Sequence, residues 1–208
     1  MIALPGDRFE VPVDGRQIDL VRGALLIEIQ TGSFSSLATK LRALLDGHHV
    51  HVVHPVALTR YVVRVDDDGN VLGRRRSPKG GQAIDACDAL VSLRDLLAHP
   101  RLTLELVCIV EDEVRRADPA RWRRHGFAVV ERRLVSVIER VRFDRPHDLL
   151  ALLPAGLPSP FTTDDVARAA GVPRDLAQRA AYCLRSAGVV RAIGKKGNAV
   201  TYVVVDDG

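Results

Sequence analysis

The sequence predicts an α/β fold: a mixed sheet flanked by helices, followed by a small domain of short helices and a hairpin. Three observations carry that prediction. Ala24 to Gln30 alternates apolar and polar in the period of a strand. Apolar strand-like runs at 49–54 and 102–110 are separated by helical stretches, the order that suits a mixed sheet with helices on its faces. From Arg145 onward the composition changes to short helices punctuated by proline and glycine. With 208 residues and 47% hydrophobic content, the chain can bury a core in one medium domain and one small one. The expected division is 1–144, with a connector over about 111–144, and 145–208.

Composition narrows the function classes. The net charge of +4 permits nucleic-acid binding without requiring it. Apolar runs fall far short of the ~20 residues that span a bilayer. The start MIALPGDRFE has neither the basic beginning nor the apolar stretch of a signal peptide. The expectation is therefore a cytoplasmic protein without a membrane partner. Cys87, Cys108 and Cys183 are odd in number and widely spaced, so they read as reduced, buried thiols rather than disulfides or zinc ligands.

The elements follow in order. Phe9 to Val13 reads as a strand, Asp14-Gly15 as a turn and Gln17 to Val21 as the next strand. If Arg22-Gly23 forms a two-residue turn into the 24–30 strand, Val21 faces Ala24 and Asp19 faces Leu26. Glu28 is then the diagonal neighbour of Asp19 on the same face. Two carboxylates so placed repel unless a proton or cation lies between them, and Mg²⁺ accepts one or two carboxylates with water and phosphate oxygens. Gln30 lies beside that place. The bland alternative makes Glu28 and Gln30 the solvated face of an edge strand, with Asp19 a hairpin charge.

Gly32 to Ser35 leads into a helix capped by Ser33 or Ser35 and stopped near Leu45 by Asp46-Gly47. Such a turn either caps the helix or also takes a phosphate. His49 to His54 reads as a buried parallel strand beside the Glu28 strand. Histidines at 48, 49, 51 and 54 raise zinc as an option, but only His49 and His51 share a face, so histidines on a strand edge are preferred. Arg60 to Val65 and Val71 to Arg74 form a hairpin around the polar turn 66–70. Next, Arg74, Arg75, Arg76 and Lys79 fall in a Pro/Gly loop suited to gripping phosphates, or simply to solvent. Ala83 to Ala98 reads as a helix and Leu102 to Val110 as a strand. Glu111 to Arg124 reads as a charged surface connector, where Trp122 among Arg121, Arg123 and Arg124 either stacks on a base or anchors the connector. Phe127 to Phe143 reads as a strand pair, or a strand plus helix, bridging the two halves, and Pro146 to Leu153 reads as one helix ahead of a Pro-rich linker.

Asp19, an interval of nine residues, then Glu28-Ile29-Gln30 resembles the PD-(D/E)XK, or restriction-endonuclease-like, nuclease superfamily in its variant with glutamine in place of lysine. The resemblance covers roughly Met1 to Val110 and implies a restriction-endonuclease-like sheet. It also implies that Asp19 and Glu28 ligate Mg²⁺ (or Mn²⁺), while Gln30 orients the attacking water. Glutamine cannot supply the positive charge of a lysine, and Lys40, on the following helix, is the residue that can compensate. The superfamily also carries an acid on a preceding helix. Only eighteen residues precede Asp19, so Glu10 takes that role, or the chain starts farther upstream.

From Phe161 the sequence FTTDDVARAAGVPRDLAQRAAYCLRSAGVVRAIGKKGNAVTYVVV resembles a winged helix-turn-helix. A helix over Asp164–Ala170 is capped by Thr162 or Thr163, Gly171-Val172 turns, and Pro173 opens a second helix to about Ala187. Val189–Ile193 and Ala199–Val205 form the wing, with Gly194 to Asn198 at its tip. With Leu176, Ala180, Cys183 and Leu184 inward, Arg174, Gln178, Arg179 and Arg185 are left for DNA, and Lys195 and Lys196 for the flanking backbone. A winged helix can equally serve protein contacts or dimerisation, and Asp164, Asp165 and Asp175 dilute its charge.

The functional expectation is a Mg²⁺-dependent DNA endonuclease placed on DNA by a winged helix, with a homodimer favoured if both strands are cut. No residue is assigned to an organic cofactor. The alternatives are a nuclease-derived DNA-binding regulator that no longer cuts, and a protein-interaction adaptor.

Overall fold

The computed structural model describes residues 4–118, 120 and 126–206; the expected role of Trp122 and its neighbouring arginines falls outside the described residues. The fold is mixed α/β. Its elements are β1 (Arg8–Val13), β2 (Arg16–Arg22), β3 (Leu25–Ile29), α1 (Ser35–Leu44), β4 (His49–Val65) and β5 (Val71–Arg76). They continue with α2 (Cys87–Leu90), β6 (Leu102–Ala117), β7 (Phe127–Phe143), β8 (Phe161–Thr162), α3 (Thr163–Ala170), α4 (Arg174–Ser186), β9 (Val190–Lys196) and β10 (Ala199–Val204). Among the described residues a seven-stranded mixed sheet runs β1-β2-β3-β4-β6-β7, with β5 also paired to β4, and a second sheet runs β8-β10-β9.

The chain divides into two compact units, Met1–His54 with Ile84–Leu106 and Arg142–Gly208, and Pro55–Ala83 with Val107–Val141. In the first, β1 and β2 join at Asp14-Gly15, both at positive φ as a tight hairpin turn demands. β3 and β4 are parallel, so the chain must cross over between them, and α1 is that crossover. Phe34, Leu41 and Leu44 are completely buried, beside Ile18, Leu20 and Ile27 from the strands, at 0–1% exposure. Each such side chain contributes about 1.5–3 kcal/mol relative to exposure. Neither serine is the N-cap of α1: Phe34 holds that position, and Ser33 Oγ accepts from the Ser35 amide at 3.3 Å.

The C-terminal part of this unit is a helix, a turn, a second helix and a hairpin. Thr162 caps α3 reciprocally with Asp165, and Gly171 ends it at φ 65°. α4 packs against α2, where Cys183 Sγ lies 4.0 Å from the Cys87 carbonyl and both thiols are free and buried. Mutual contact and burial push the Cys87 thiol up. Only Gly197-Asn198 forms the hairpin tip, because Ala199 already pairs with Lys196; Lys195 and Lys196 are strand residues.

The second unit is built from sheet. The hairpin expected from Arg60 forms, its first arm being the end of one 17-residue strand, β4; Arg74 to Arg76 all belong to its second arm, β5, paired with Val63, Val62 and Tyr61 rather than placed in a loop. The expected connector beginning at Glu111 is a continuation of β6 to Ala117. Glu111 and Glu113 are buried there because arginines reach them: Arg60 meets Glu111 at 2.6 Å, while Arg115 and Arg132 meet Glu113 at 2.6 and 3.5 Å. Val63, Val65 and Val114 form an apolar cluster. Phe127 to Phe143 is one strand, not a pair.

Two further helices differ from expectation. Residues 83–93 alternate between 3-10 and α geometry instead of forming one α-helix, and Pro146–Leu152 is a 3-10 segment. The histidine strand is interior, with β3 and β6 on its two sides, not an edge.

Candidate active site and nucleic-acid interface

The β2–β3 register pairs Leu20 with Ile27, Val21 with Leu26 and Arg22 with Leu25, so the turn is Gly23-Ala24 and not Arg22-Gly23. Gly23 takes φ 57°, a conformation that costs glycine little, which fixes it as the first loop residue. This corrects the expected diagonal: Asp19 is directly opposite Glu28. On the other side, Phe9 pairs with Leu20 and Val11 with Ile18, which leaves Glu10 opposite Asp19. Three acids thus form a row across β1, β2 and β3. Glu10 sits at φ 50°, a left-handed conformation uncommon for a residue with a side chain.

The three differ in exposure. Glu10 and Asp19 are exposed, whereas Glu28 retains 5%, which sets aside the solvated edge-strand alternative. Asp19 Oδ2 accepts from the Ile29 amide at 2.7 Å. Lys40, reaching over from α1, places Nζ 2.6 Å from Glu28 Oε1 and also donates to the Gln17 carbonyl. Burial holds the Glu28 carboxyl above its ordinary range; Lys40 opposes that shift, and the charge of Asp19 adds to it. Lysine and two acids are therefore brought together by register and crossover.

Gln30 is used differently. Its Nε2 donates to the Ser33 carbonyl at 2.6 Å, its amide donates to Val53 and its carbonyl meets His54 Nδ1 at 2.6 Å. It fixes the loop entering α1. His54 packs edge-on against Phe34, and burial lowers its pKa. His51 lies with Nε2 2.9 Å from Glu105 and is likewise lowered by burial, against the pull of Glu105. Among the described residues, no group of three His, Cys, Asp or Glu side chains is arranged to hold a metal by itself. Asp19 and Glu28 are the two carboxylates of this site, and one oxygen of each is already engaged, Glu28 Oε1 by Lys40 and Asp19 Oδ2 by the Ile29 amide.

The cationic residues separate into paired and outward sets. Arg74 stacks 3.7 Å over Tyr61 and pairs with Asp112 at 2.8 Å; Arg76 reaches Thr59 at 3.4 Å; Arg75 and Lys79 are exposed. On α4, Arg174 pairs with Asp164 at 2.9 Å, and Arg179 with Asp88 at 2.7 Å and Asp175 at 3.2 Å. Gln178, Arg185, Lys195 and Lys196 are exposed, while Leu176, Ala180, Cys183 and Leu184 are buried as expected. Sequence reasoning missed Gln17, Asp88 and Glu105. Each acts across a long sequence separation, and only Gln17, next to Asp19 on the same strand, offered any local signal.

A family model described as a domain of unknown function, DUF8091, matches residues 1–144. An uncharacterized protein of Treponema pallidum (strain Nichols) is 33% identical over 165 residues, covering 78% of this chain and 66% of that protein. The chain thus spans just under two thirds of that relative's length. No solved structure matches.

Proposed function

We propose a function for this chain, which belongs to the DUF8091 family, from its own geometry: a Mg²⁺-dependent DNA endonuclease of the PD-(D/E)XK type, with a C-terminal winged helix that engages the duplex. One observation carries the reading. Lys40 reaches the buried Glu28 directly opposite Asp19, supplying the cation that Gln30 lacks. Mg²⁺ or Mn²⁺ held by Asp19 and Glu28 would generate the hydrolytic nucleophile and offset phosphate charge. Asp19 and Glu28 would hold the ion, Lys40 would offset charge on the phosphate, and Gln30 fixes the loop through Ser33. Glu10 adds a third acid at the exposed end of the row. Arg75, Lys79, Arg185, Lys195 and Lys196 face solvent and would meet phosphates, with Gln178 available to a base edge.

A second reading, a DNA-binding regulator that does not cut, is favoured by the double hold on Lys40 from Glu28 and the Gln17 carbonyl. Incubating the protein with supercoiled plasmid and Mg²⁺ or Mn²⁺, beside Asp19→Asn, separates the two. Asp19 is exposed, so the variant is expected to fold. The endonuclease predicts cleavage that drops on the order of 100-fold or more in the variant. Intact plasmid, bound with an affinity that falls steeply with salt, would establish the regulator instead.

A further inference from the structure

Among the described residues β7 ends the large sheet, and residues 128 to 140 along it are partly or largely exposed. Its apolar side chains are not incidental: Leu134 is 64% exposed, Ile138 52%, Val135 48% and Val137 40%. A long edge strand with exposed apolar residues on both faces is a template for further strand pairing, and soluble proteins usually blunt such edges. Here the edge is kept, and its charges are patterned.

We propose that this edge pairs with β7 of a second copy of the chain, antiparallel about a two-fold axis at Ser136. The argument is one of symmetry. A two-fold axis normal to a sheet leaves every side chain on its own face, and directly opposed residues in an antiparallel pair share a face. Residues that pair must therefore be separated by an even number of positions, which removes half of all registers. Of those left, the one centred on Ser136 sets Leu134 against Ile138, Val135 against Val137 and Arg133 against Glu139, each pair made twice. Moving the centre to Val135 sets Glu131 against Glu139 and Arg133 against Val137; moving it to Val137 sets Arg133 against Val141 and Glu139 against Val135. Both lose the charge match. In the Ser136 register Arg133, already 2.6 Å from Glu131 on its own strand, gains a second carboxylate. The like pair it creates, Arg132 against Arg140, is eased by Glu113, which Arg132 meets at 3.5 Å within its own chain. This surface belongs to the second unit and does not depend on the nuclease reading.

The full-length chain, analysed by sedimentation equilibrium over a concentration series, should give the mass of two chains. Leu134→Asp, at an exposed position, should weaken association at least about ten-fold while leaving the far-ultraviolet circular dichroism unchanged. Arg133→Glu and Glu139→Arg should each weaken it, and the two together should restore it. Ser136→Cys should cross-link under mild oxidation, whereas Val130→Cys should not, since the native thiols are buried. Should either Leu134→Asp or Glu139→Arg fail to fold, the cysteine pair decides alone. A chain monomeric throughout the series overturns the proposal, as does a dimer indifferent to Leu134→Asp, or one that cross-links equally through 130 and 136. A monomer that holds another protein through this edge would have the same effect.

Discussion

Two cation–carboxylate contacts in the first unit have nearly the same length and opposite physical character. Lys40 lies 2.6 Å from Glu28, where the carboxylate side chain is 6% exposed; Arg179 lies 2.7 Å from Asp88, where the two side chains are 44% and 59% exposed. Distance alone would rank them together. Solvent separates them: water screens the helix pair and leaves either partner well hydrated when the other is removed, whereas Glu28 has little hydration to fall back on. The first contact therefore neutralises a charge that water cannot reach, while the second is a surface pair that water can replace.

The sharpest way to break that comparison is Lys40→Met. It should cost about 3 kcal/mol in urea denaturation, because it strands a buried carboxylate, and adding Glu28→Gln should recover most of the loss. If the single variant is as stable as the parent, Glu28 is not the buried anion described above.

Acidification gives the next effect. His51 and His54 have pKa values below the ordinary 6.5 because burial disfavours the imidazolium. The unfolded chain then binds protons that the folded chain refuses, so their contribution to stability is complete above pH 6.5 and falls as the pH drops toward their folded values. Thermal melts from pH 7.5 to 5 should show this decline, and His51→Gln should flatten it; an unchanged slope would mean that the decline comes from other groups. Smallest of all is Arg179→Ala, expected to leave the urea midpoint nearly unchanged, because water screens this exposed pair. A larger loss in denaturant melts would show that the pair is structural, and the distinction between the two contacts would fail.

Legibility in the sequence followed the same line between local and distant causes. The alternation around Glu28, the Asp14-Gly15 turn, the Thr162 cap and the inward face of α4 all arise within a few residues, and all were readable. The Asp19–Glu28 turn was misplaced by one residue because glycine serves at either position of a two-residue loop, and only strand pairing selects one. Glu111 and Glu113 read as surface because the residues that make their burial tolerable include Arg60 and Arg132, distant in sequence. Lys40 could be named as able to reach the strand ends, but not as Glu28's partner, since that depends on how α1 lies over β3. The broken helical geometry of residues 83–93 has no explanation in the packing described above.

The buried thiols have a use that none of these contacts offers. Cys87 and Cys183 meet where α2 and α4 pack, while Cys108 belongs to the other unit. Alkylation of a buried cysteine requires a local opening, and its rate measures how often that opening occurs. The three thiols thus give the native chain an internal clock for each unit: peptide-resolved labelling would time the release of the helix expected to meet DNA separately from fraying of the long strands.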